Sequence, residues 1–312
     1  MGILGHQLRA LGHKAIWRPS NDQFLLKDMG INVVVEGFMP AAVKALANLH
    51  SQGCRFLCIA TEEPTSRGFN HGKDKEMVRR QQTFPEAAKY FDGILHLVPG
   101  EHVTRWYDQW APAAYIELGY APTLVRARNK KEPTYDFGFF GSVSRRRLKI
   151  LKQLTTFFGA RRIRICSDFP SQEERDAQMQ EAKVVLQIRK YDEMGLVSSS
   201  RCNTALNVGR PVIAEPHQHS HPWDSIVKFT DTMDEFKTVA SWMVMNWKSH
   251  HKDQFERFKN TLTPEVCIGE PMRKINLDLS EPKYSMMTSI PREIVVPALQ
   301  TDSQVKAEME AA

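Results

Sequence analysis

Small polar residues and arginines occur at two places in the second half of the sequence where an apolar strand pattern gives way to a helical pattern. The residues at these places are Gly141, Ser142 and Arg145 after the first strand, and Ser198, Ser199, Arg201 and Thr204 after a later one. Helix N-termini present unpaired N–H groups and positive dipole ends, which attract anions beyond the carboxyl ends of parallel strands. An arginine in the first helical turn adds a planar guanidinium that can pair with a diphosphate. The two places together predict one nucleotide-diphosphate pocket, although each serine alone is equally typical of a helix cap.

The elements that must position these residues alternate between strand and helix. The predicted strands are residues 31–35, 55–60 and 93–98 in the first half and 135–140, 162–166, 184–188 and 211–214 in the second. Strands that alternate with helical patterns favour parallel crossover connections. The sequence therefore predicts an α/β fold built on doubly wound sheets.

The length of 312 residues predicts about two domains of this kind. Residues 121–134 combine prolines and basic residues without apolar periodicity, as linkers do. We therefore expect an N-terminal domain over 1–120, a linker over 121–134, a C-terminal domain over 135–262 and a partly disordered extension over 263–312. The opening residues 1–13 read as a glycine-rich turn that enters a helix with no strand before it, so the N-terminal domain is expected to lack its first strand.

Three segments give the chain a recognisable pattern. They are residues 115–122 (YIELGYAP), 136–151 (DFGFFGSVSRRRLKIL) and 198–215 (SSSRCNTALNVGRPVIAE). Over residues 90–260, the sequence resembles glycosyltransferases of the spore-maturation (CgeB-like) type, which have the GT-B fold. The resemblance implies two Rossmann-like domains that face each other across a cleft, the C-terminal one holding a nucleotide-sugar donor. It also implies a metal-independent transfer of the sugar to a hydroxyl, with no cofactor beyond the donor substrate.

One position departs from the family's pattern. Members often carry Arg-x-x-Glu in the helix before a Gly-x-Pro turn, and the glutamate is expected to hold the donor ribose. Here Arg201 is followed by Asn203 and Thr204 without an acid in the helix, so Glu215, directly after the next strand, is the predicted substitute. The missing glutamate and the missing first strand also fit a second interpretation, a catalytically inactive nucleotide- or polyanion-binding module with the same fold.

The acceptor side of such an enzyme is predicted in the first half of the chain. Residues 59–72 read as a strand that ends in a polar loop containing Glu62, Glu63 and His71. A carboxylate or an imidazole can deprotonate the attacking hydroxyl, so these three residues are the candidate catalytic bases, with His6 as a fourth. The simpler interpretation of each is a hydrogen bond within the loop.

Two other patterns suggest metal or thiol chemistry less strongly. His217, His219 and His221 alternate, so an extended segment would place their imidazoles on one side, as a zinc site requires. The sequence offers no fourth ligand, and a loop that lines the binding site is the preferred interpretation. The five cysteines form no Cys-x-x-Cys pair and predict reduced, mostly buried thiols.

Basic residues are concentrated in one window of the chain. Residues 126–164 contain twelve Lys and Arg against two Asp and Glu, a local charge of +10 within an overall +6. Such a field concentrates anions, either a nucleotide diphosphate or a nucleic-acid backbone. The family resemblance implies a surface glycan or a protein as acceptor, and the basic window adds modified DNA as a rival. No apolar run is long enough to span a bilayer and the N-terminus is not leader-like, which predicts a cytoplasmic protein.

Overall fold

The computed structural model of the protein describes residues 2–18, 30–36, 38–72, 75–126, 132–167, 171–190, 192, 197–215, 221–277 and 293–297. The chain divides into two compact units. Unit 1 consists of Met1–Ile116 together with Pro264–Ala312, and unit 2 consists of Glu117–Thr263. Each unit contains one sheet, and the neighbouring strands of both sheets are parallel. The predicted α/β fold with two Rossmann-like domains is thereby confirmed.

Strands and helices alternate through most of the described residues. In chain order the strands are β1 (Lys14–Arg18), β2 (Gly30–Val35), β3 (Arg55–Ala60), β4 (Gly93–His96), β5 (Ala113–Tyr115), β6 (Tyr135–Phe140), β7 (Ile163–Cys166), β8 (Ala182–Gln187), β9 (Val212–Ala214), β10 (Lys228–Phe229) and β11 (Glu293–Pro297). The helices are α1 (Gly2–Ala10), α2 (Pro40–His50), α3 (Lys75–Ala88), α4 (Glu101–Asp108), α5 (Arg145–Phe158), α6 (Gln172–Gln180), α7 (Ser199–Asn207), α8 (Met233–Met245), α9 (Trp247–Thr261) and α10 (Glu270–Lys274). Within the part of the chain that is described, none of these helices has both the length and the apolar composition needed to cross a membrane.

The sheet of unit 1 has the strand order β1-β11-β2-β3-β4-β5. β3 is buried at every residue after its first, as expected of a parallel strand with helices on both faces of the sheet. Phe84 of α3 and Tyr107 of α4 extend this core, with ring centroids 5.2 Å apart. The carboxyl ends of β2 and β3 therefore emerge together from a well-packed layer.

The last described strand occupies an inner position of this sheet. Ile294 of β11 is in register with Ala15 of β1 and with Ile31 of β2. The described parts of the predicted extension 263–312 mostly belong to unit 1 rather than forming a separate segment, because β11 pairs with two strands of its sheet.

The sheet of unit 2 has the strand order β10-β9-β8-β6-β7. Phe137 and Phe139 of β6 pack in one hydrophobic cluster with Leu151 of α5. α5 begins at Arg145, where the Ser144 hydroxyl oxygen accepts a hydrogen bond from the Arg147 N–H at 3.3 Å. The turn between β6 and α5 is therefore held at the carboxyl end of the sheet.

Residues 118–120, which directly precede the predicted linker 121–134, are bound to residues of unit 2. Asn203 of α7 donates from Nδ2 to the carbonyl oxygens of Leu118 at 3.0 Å and Gly119 at 2.6 Å. The Tyr120 N–H donates to the Leu262 carbonyl at 2.7 Å. The boundary between the units consequently lies before this segment, earlier than the predicted domain boundary at 120.

Candidate functional site

Arg201 is buried at the start of α7 and is bound to the ends of two strands. Its Nε donates to the Phe140 carbonyl oxygen at 2.6 Å, and its Nη1 donates to Oε1 of Gln187 at the end of β8. The guanidinium carbon lies 5.0 Å from the centroid of the Phe139 ring. These contacts fix the guanidinium at the carboxyl end of the unit 2 sheet, where ligands of doubly wound sheets bind.

The turn after β6 brings Gly141 against this guanidinium. Gly141 has a φ of +141°, a backbone conformation that residues with side chains rarely adopt. A Cβ at Gly141 would lie 2.6 Å from Nη2 of Arg201, so a side chain there would displace the guanidinium. Nη2 makes no hydrogen bond to any residue that the structure describes. Gly141 and Arg201 thus lie side by side, and Nη2 is the donor that remains for a ligand.

A second buried guanidinium, that of Arg147 on α5, contacts the same aromatic ring. Its carbon lies 5.4 Å from the centroid of the Phe139 ring. Its Nε donates to the Ile188 carbonyl at 2.9 Å, and its Nη1 donates to the Ser142 carbonyl at 2.8 Å. Arg147 was not among the predicted ligands, although helical spacing places it on the same face as the buried residue Leu151.

The charge of Arg201 has no counter-ion among the described residues. Burial lowers the pKa of its guanidinium to about 9, and the positive charge of Arg147 acts in the same direction. A buried cation without a partner is costly, so an anion bound at Nη2 would stabilise the charged form. The arrangement can therefore bind a phosphate or diphosphate group.

The predicted hydroxyl ligands of α7 lie at its first turn. Ser198 is the N-cap residue, and its side chain makes no capping hydrogen bond. Ser199 is the first helical residue and is half-buried. These hydroxyls lie at the positive end of the helix dipole, in the same helical turn as Arg201. Arg145, by contrast, is exposed at the start of α5 and has no hydrogen bond or ion pair within the described residues.

Thr204 and Glu215, two further residues predicted to contact the sugar donor, make hydrogen bonds within unit 2. The Thr204 hydroxyl donates to the Ser200 carbonyl of its own helix at 2.9 Å. Glu215 is 4% exposed and accepts two hydrogen bonds from Arg146, at 2.8 Å from Nη1 and 2.6 Å from Nη2. It also accepts from the Arg189 N–H. A contact of either side chain with a donor ribose stays a prediction, since these bonds use the oxygens that would make it.

In unit 1, the loop after β3 begins with a buried charge network. Arg80 donates from Nη1 to Oε1 of Glu62 and from Nη2 to Oε2 of Glu36, both at 2.7 Å. The second carboxylate oxygen of Glu62 accepts from Nδ2 of Asn70, and its carbonyl accepts from the Tyr107 hydroxyl at 2.8 Å. Burial raises the pKa of Glu62 to about 7, and the charge of Glu36 acts in the same direction. Glu62, one of the predicted bases, therefore anchors the loop with both carboxylate oxygens.

The structure does bring Glu63 and His71, two other predicted bases, together. Oε2 of Glu63 lies 3.6 Å from Nε2 of His71, and Oε1 lies 3.8 Å from Nε2 of His102, a residue that the sequence did not single out. Asn70 and His71 have φ angles of 50° and 67°, a strained conformation that occurs often at functional sites. A carboxylate between two imidazoles can receive a proton from a hydroxyl. The fourth candidate, His6, lies on α1 and not in the loop that contains Glu63 and His71.

Of the alternating histidines, only His221 belongs to the described residues, and His217 and His219 lie outside them. Nε2 of His221 lies 3.7 Å from Oε2 of the buried Glu117, and its Nδ1 accepts from the Trp223 N–H at 3.3 Å. The described residues contain no group of three or more His, Cys, Asp or Glu side chains that could hold a metal ion. The five cysteines are buried and form no disulfide.

No protein-family model and no curated protein matches the sequence. Solved structures match its fold. The structure of TarM superposes with a TM-score of 0.53 at 11% identity, covering 80% of this chain and 56% of that one. A point mutant of TarM from S. aureus, solved with fondaparinux, alpha-GlcNAc-glycerol and UDP, gives 0.53 at 12% identity with the same coverage. The present chain thus spans little more than half the length of TarM.

A third structure, an alpha,alpha-trehalose-phosphate synthase (UDP-forming) from Burkholderia vietnamiensis, superposes with a TM-score of 0.50 at 8% identity, covering 80% of this chain and 75% of that one. Identities this low carry information on the fold alone. These neighbours are glycosyltransferases of the GT-B fold, and the chain shares their fold of two Rossmann-like α/β domains.

Proposed function

We propose that this protein is a glycosyltransferase of the CgeB-like type that transfers a sugar from a nucleoside-diphosphate donor to a hydroxyl, with the diphosphate bound by unit 2. The observation that carries the proposal is the Arg201 guanidinium, which is buried at the carboxyl end of the sheet without a counter-ion among the described residues. Its free Nη2 adjoins Gly141, whose missing side chain leaves room for a phosphate oxygen to approach. The UDP in the TarM mutant structure supports a nucleotide diphosphate as the ligand class.

The chemistry that unit 2 would perform is stabilisation of the leaving group. When the acceptor oxygen forms its bond to the anomeric carbon, the bond from that carbon to the phosphate oxygen breaks and its electron pair leaves with the diphosphate. Arg201 and the first turn of α7, with the Ser198 and Ser199 hydroxyls, would bind the negative charge as it develops. We propose that these groups, rather than a metal ion, supply the positive charge, so excess EDTA should leave the rate unchanged.

The acceptor hydroxyl must lose a proton, and we assign that proton to Glu63 in unit 1. His71 and His102 lie within 4 Å of its two oxygens and would stabilise the carboxylate before transfer. We propose a glycan or glycosylated protein as acceptor, because the TarM mutant structure holds two carbohydrate ligands beside UDP. Neither the comparisons nor the geometry supports modified DNA.

Thermal-shift measurements with UDP-, GDP-, TDP- and CMP-sugars test the donor assignment. A ligand at 100 times its dissociation constant adds about 2.7 kcal/mol to the free energy of unfolding, so a matching donor should raise the melting temperature clearly. Arg201→Met should abolish the shift. Arg164→Met is the matched control, since Arg164 is an exposed arginine of unit 2 whose described contact is the Tyr135 ring. A shift that persists in Arg201→Met would refute the assignment.

A second candidate function is binding of a nucleotide diphosphate without turnover. The specific observation in its favour is that Thr204 and Glu215 are both hydrogen-bonded within the fold, which leaves neither side chain free to hold the donor ribose. Product analysis with the donor selected by thermal shift separates the two candidates. Binding with neither transfer nor hydrolysis of the sugar would favour the binding module.

A further inference from the structure

Unit 2 has a surface on which basic and aliphatic side chains are exposed together. Residues 143–165 contain eight Lys and Arg and no Asp or Glu. This segment supplies α5 and β7, and β7 is the edge strand of the unit 2 sheet. We define the edge surface as the exposed residues Arg145, Leu148, Lys149, Lys152, Arg161 and Ile165.

The basic residues of the edge surface are not held in ion pairs by acidic residues of the described part of the chain. Arg146 and Arg162, elsewhere in the same segment, are bound to acidic residues. The four basic residues of the edge surface, in contrast, make no ion pair within the described part of the chain. Lys149 and Lys152 follow Arg145 at helical spacing, so the three side chains form one stripe along α5.

Bulky aliphatic groups lie beside this stripe. Leu148 is 43% exposed and Ile165 is 42% exposed. Ile165 lies two residues after Ile163 in β7, so the two side chains share one face of the sheet. Ile163 packs in the same core cluster as Leu151 of α5, so Ile165 projects on the α5 side. Charge and apolar area are therefore presented on one side of unit 2.

We propose that the edge surface binds the surface of an anionic lipid bilayer. Lipid headgroups provide the negative charge that four unpaired cations attract, and the acyl boundary provides a place to bury Leu148 and Ile165. A nucleic-acid backbone would match the charge, but it offers no apolar layer for two aliphatic side chains. The proposal is independent of the sugar-transfer function, because it uses neither Arg201 nor Glu63.

The test is sedimentation of the full chain with vesicles of phosphatidylcholine alone and of phosphatidylcholine mixed with phosphatidylglycerol. Binding should occur with the anionic vesicles and weaken as salt shortens the screening length from about 10 Å at 0.1 M to about 3 Å at 1 M. Each basic residue near an anionic surface strengthens partitioning about fivefold, so Lys149→Glu with Lys152→Glu should weaken it by about 25-fold or more. Lys44→Glu with Lys252→Glu is the matched control, with the same change of net charge at exposed positions on α2 and α9.

The apolar contribution is tested separately. Leu148→Ser with Ile165→Ser should weaken binding about fivefold, and this loss should persist at high salt because it removes buried apolar area. Phe157→Ser is the control, since Phe157 is 58% exposed but lies half a helical turn around α5 from Leu148. Circular dichroism spectra of all variants should match that of the wild type.

Three results would overturn the proposal. One is equal binding to neutral and anionic vesicles, and another is an equal loss of binding in the Lys44 and Lys252 control. The third is binding of double-stranded DNA that depends on Lys149 and Lys152 in the absence of vesicle binding, which would identify the edge surface as a nucleic-acid site.

Discussion

At the carboxyl ends of their sheets, the two units bury charge in opposite ways. In unit 1 a single guanidinium, that of Arg80, lies between the carboxylates of Glu36 and Glu62. In unit 2 two guanidiniums, those of Arg147 and Arg201, flank one aromatic ring, and Arg201 has no carboxylate among the described residues. The first arrangement is satisfied internally and holds a loop in place. The second leaves the positive charge of Arg201 uncompensated, and an anionic ligand bound there would neutralise it.

The comparison predicts that breaking the unit 1 network damages the fold most. Arg80→Met leaves the buried carboxylate of Glu62 and the half-buried carboxylate of Glu36 without their cation, and we expect a loss of about 3–5 kcal/mol in the free energy of unfolding. Urea denaturation followed by circular dichroism measures the loss. The triple variant Glu36→Gln, Arg80→Met, Glu62→Gln removes all three charges and should recover most of it. An unchanged denaturation midpoint in Arg80→Met would show that the network has no structural role.

The corresponding substitution in unit 2 should affect activity rather than folding. Arg201→Met removes the cation that the leaving diphosphate requires, and we expect kcat/KM to fall by the equivalent of about 2–4 kcal/mol. Its cost in unfolding free energy should be smaller than that of Arg80→Met, because an uncompensated buried charge is removed with it. Steady-state kinetics and urea denaturation on the same preparation provide both numbers. If Arg201→Met lowered the free energy of unfolding by more than it raised the activation free energy, Arg201 would have a structural role like that of Arg80.

Substitutions of two glycines distinguish the effect of backbone strain from the effect of contact with the Arg201 guanidinium. Gly141→Ala should cost about 2 kcal/mol in unfolding free energy through its positive φ, and it should also weaken donor binding, since the new Cβ displaces Nη2 of Arg201. Gly159→Ala is the matched control: Gly159 has a φ of +94° with open space around its Cβ position. Donor titrations of both variants should show a loss for Gly141→Ala only.

Per pH unit, the smallest expected effect is a dependence of stability on pH in unit 1. The pKa of Glu62 is raised to about 7 by burial and by Glu36, so the folded state binds a proton that the unfolded chain has released. Stability should therefore fall as pH rises from about 4.5 to about 7, with a slope of at most about 1.4 kcal/mol per pH unit. Glu62→Gln should flatten this slope. A wild-type stability that rises across the same window would contradict the raised pKa.

The sequence predicted more of the fold than of the candidate site. The boundaries of β3 and β6 coincide with the predicted ones, because apolar runs determine them locally. Arg80 and Glu36 were not identified, because their pairing depends on the approach of α3 to the end of β2, which no local pattern encodes. Tertiary packing decides which charged side chains are buried. It places Glu62 in the network with Arg80, and it places Glu63 beside the imidazoles of His71 and His102.

β11 has a consequence for how the chain reaches its native state. It pairs with β1 and β2 across more than 250 residues of intervening sequence, so an inner position of the unit 1 sheet stays open until residues 293–297 have left the ribosome. Unit 2, in contrast, is a continuous stretch that has emerged in full by residue 263. Since domains fold largely as they emerge and distant contacts form late, the order of folding should run against the order of the sequence, with the second unit complete before the first.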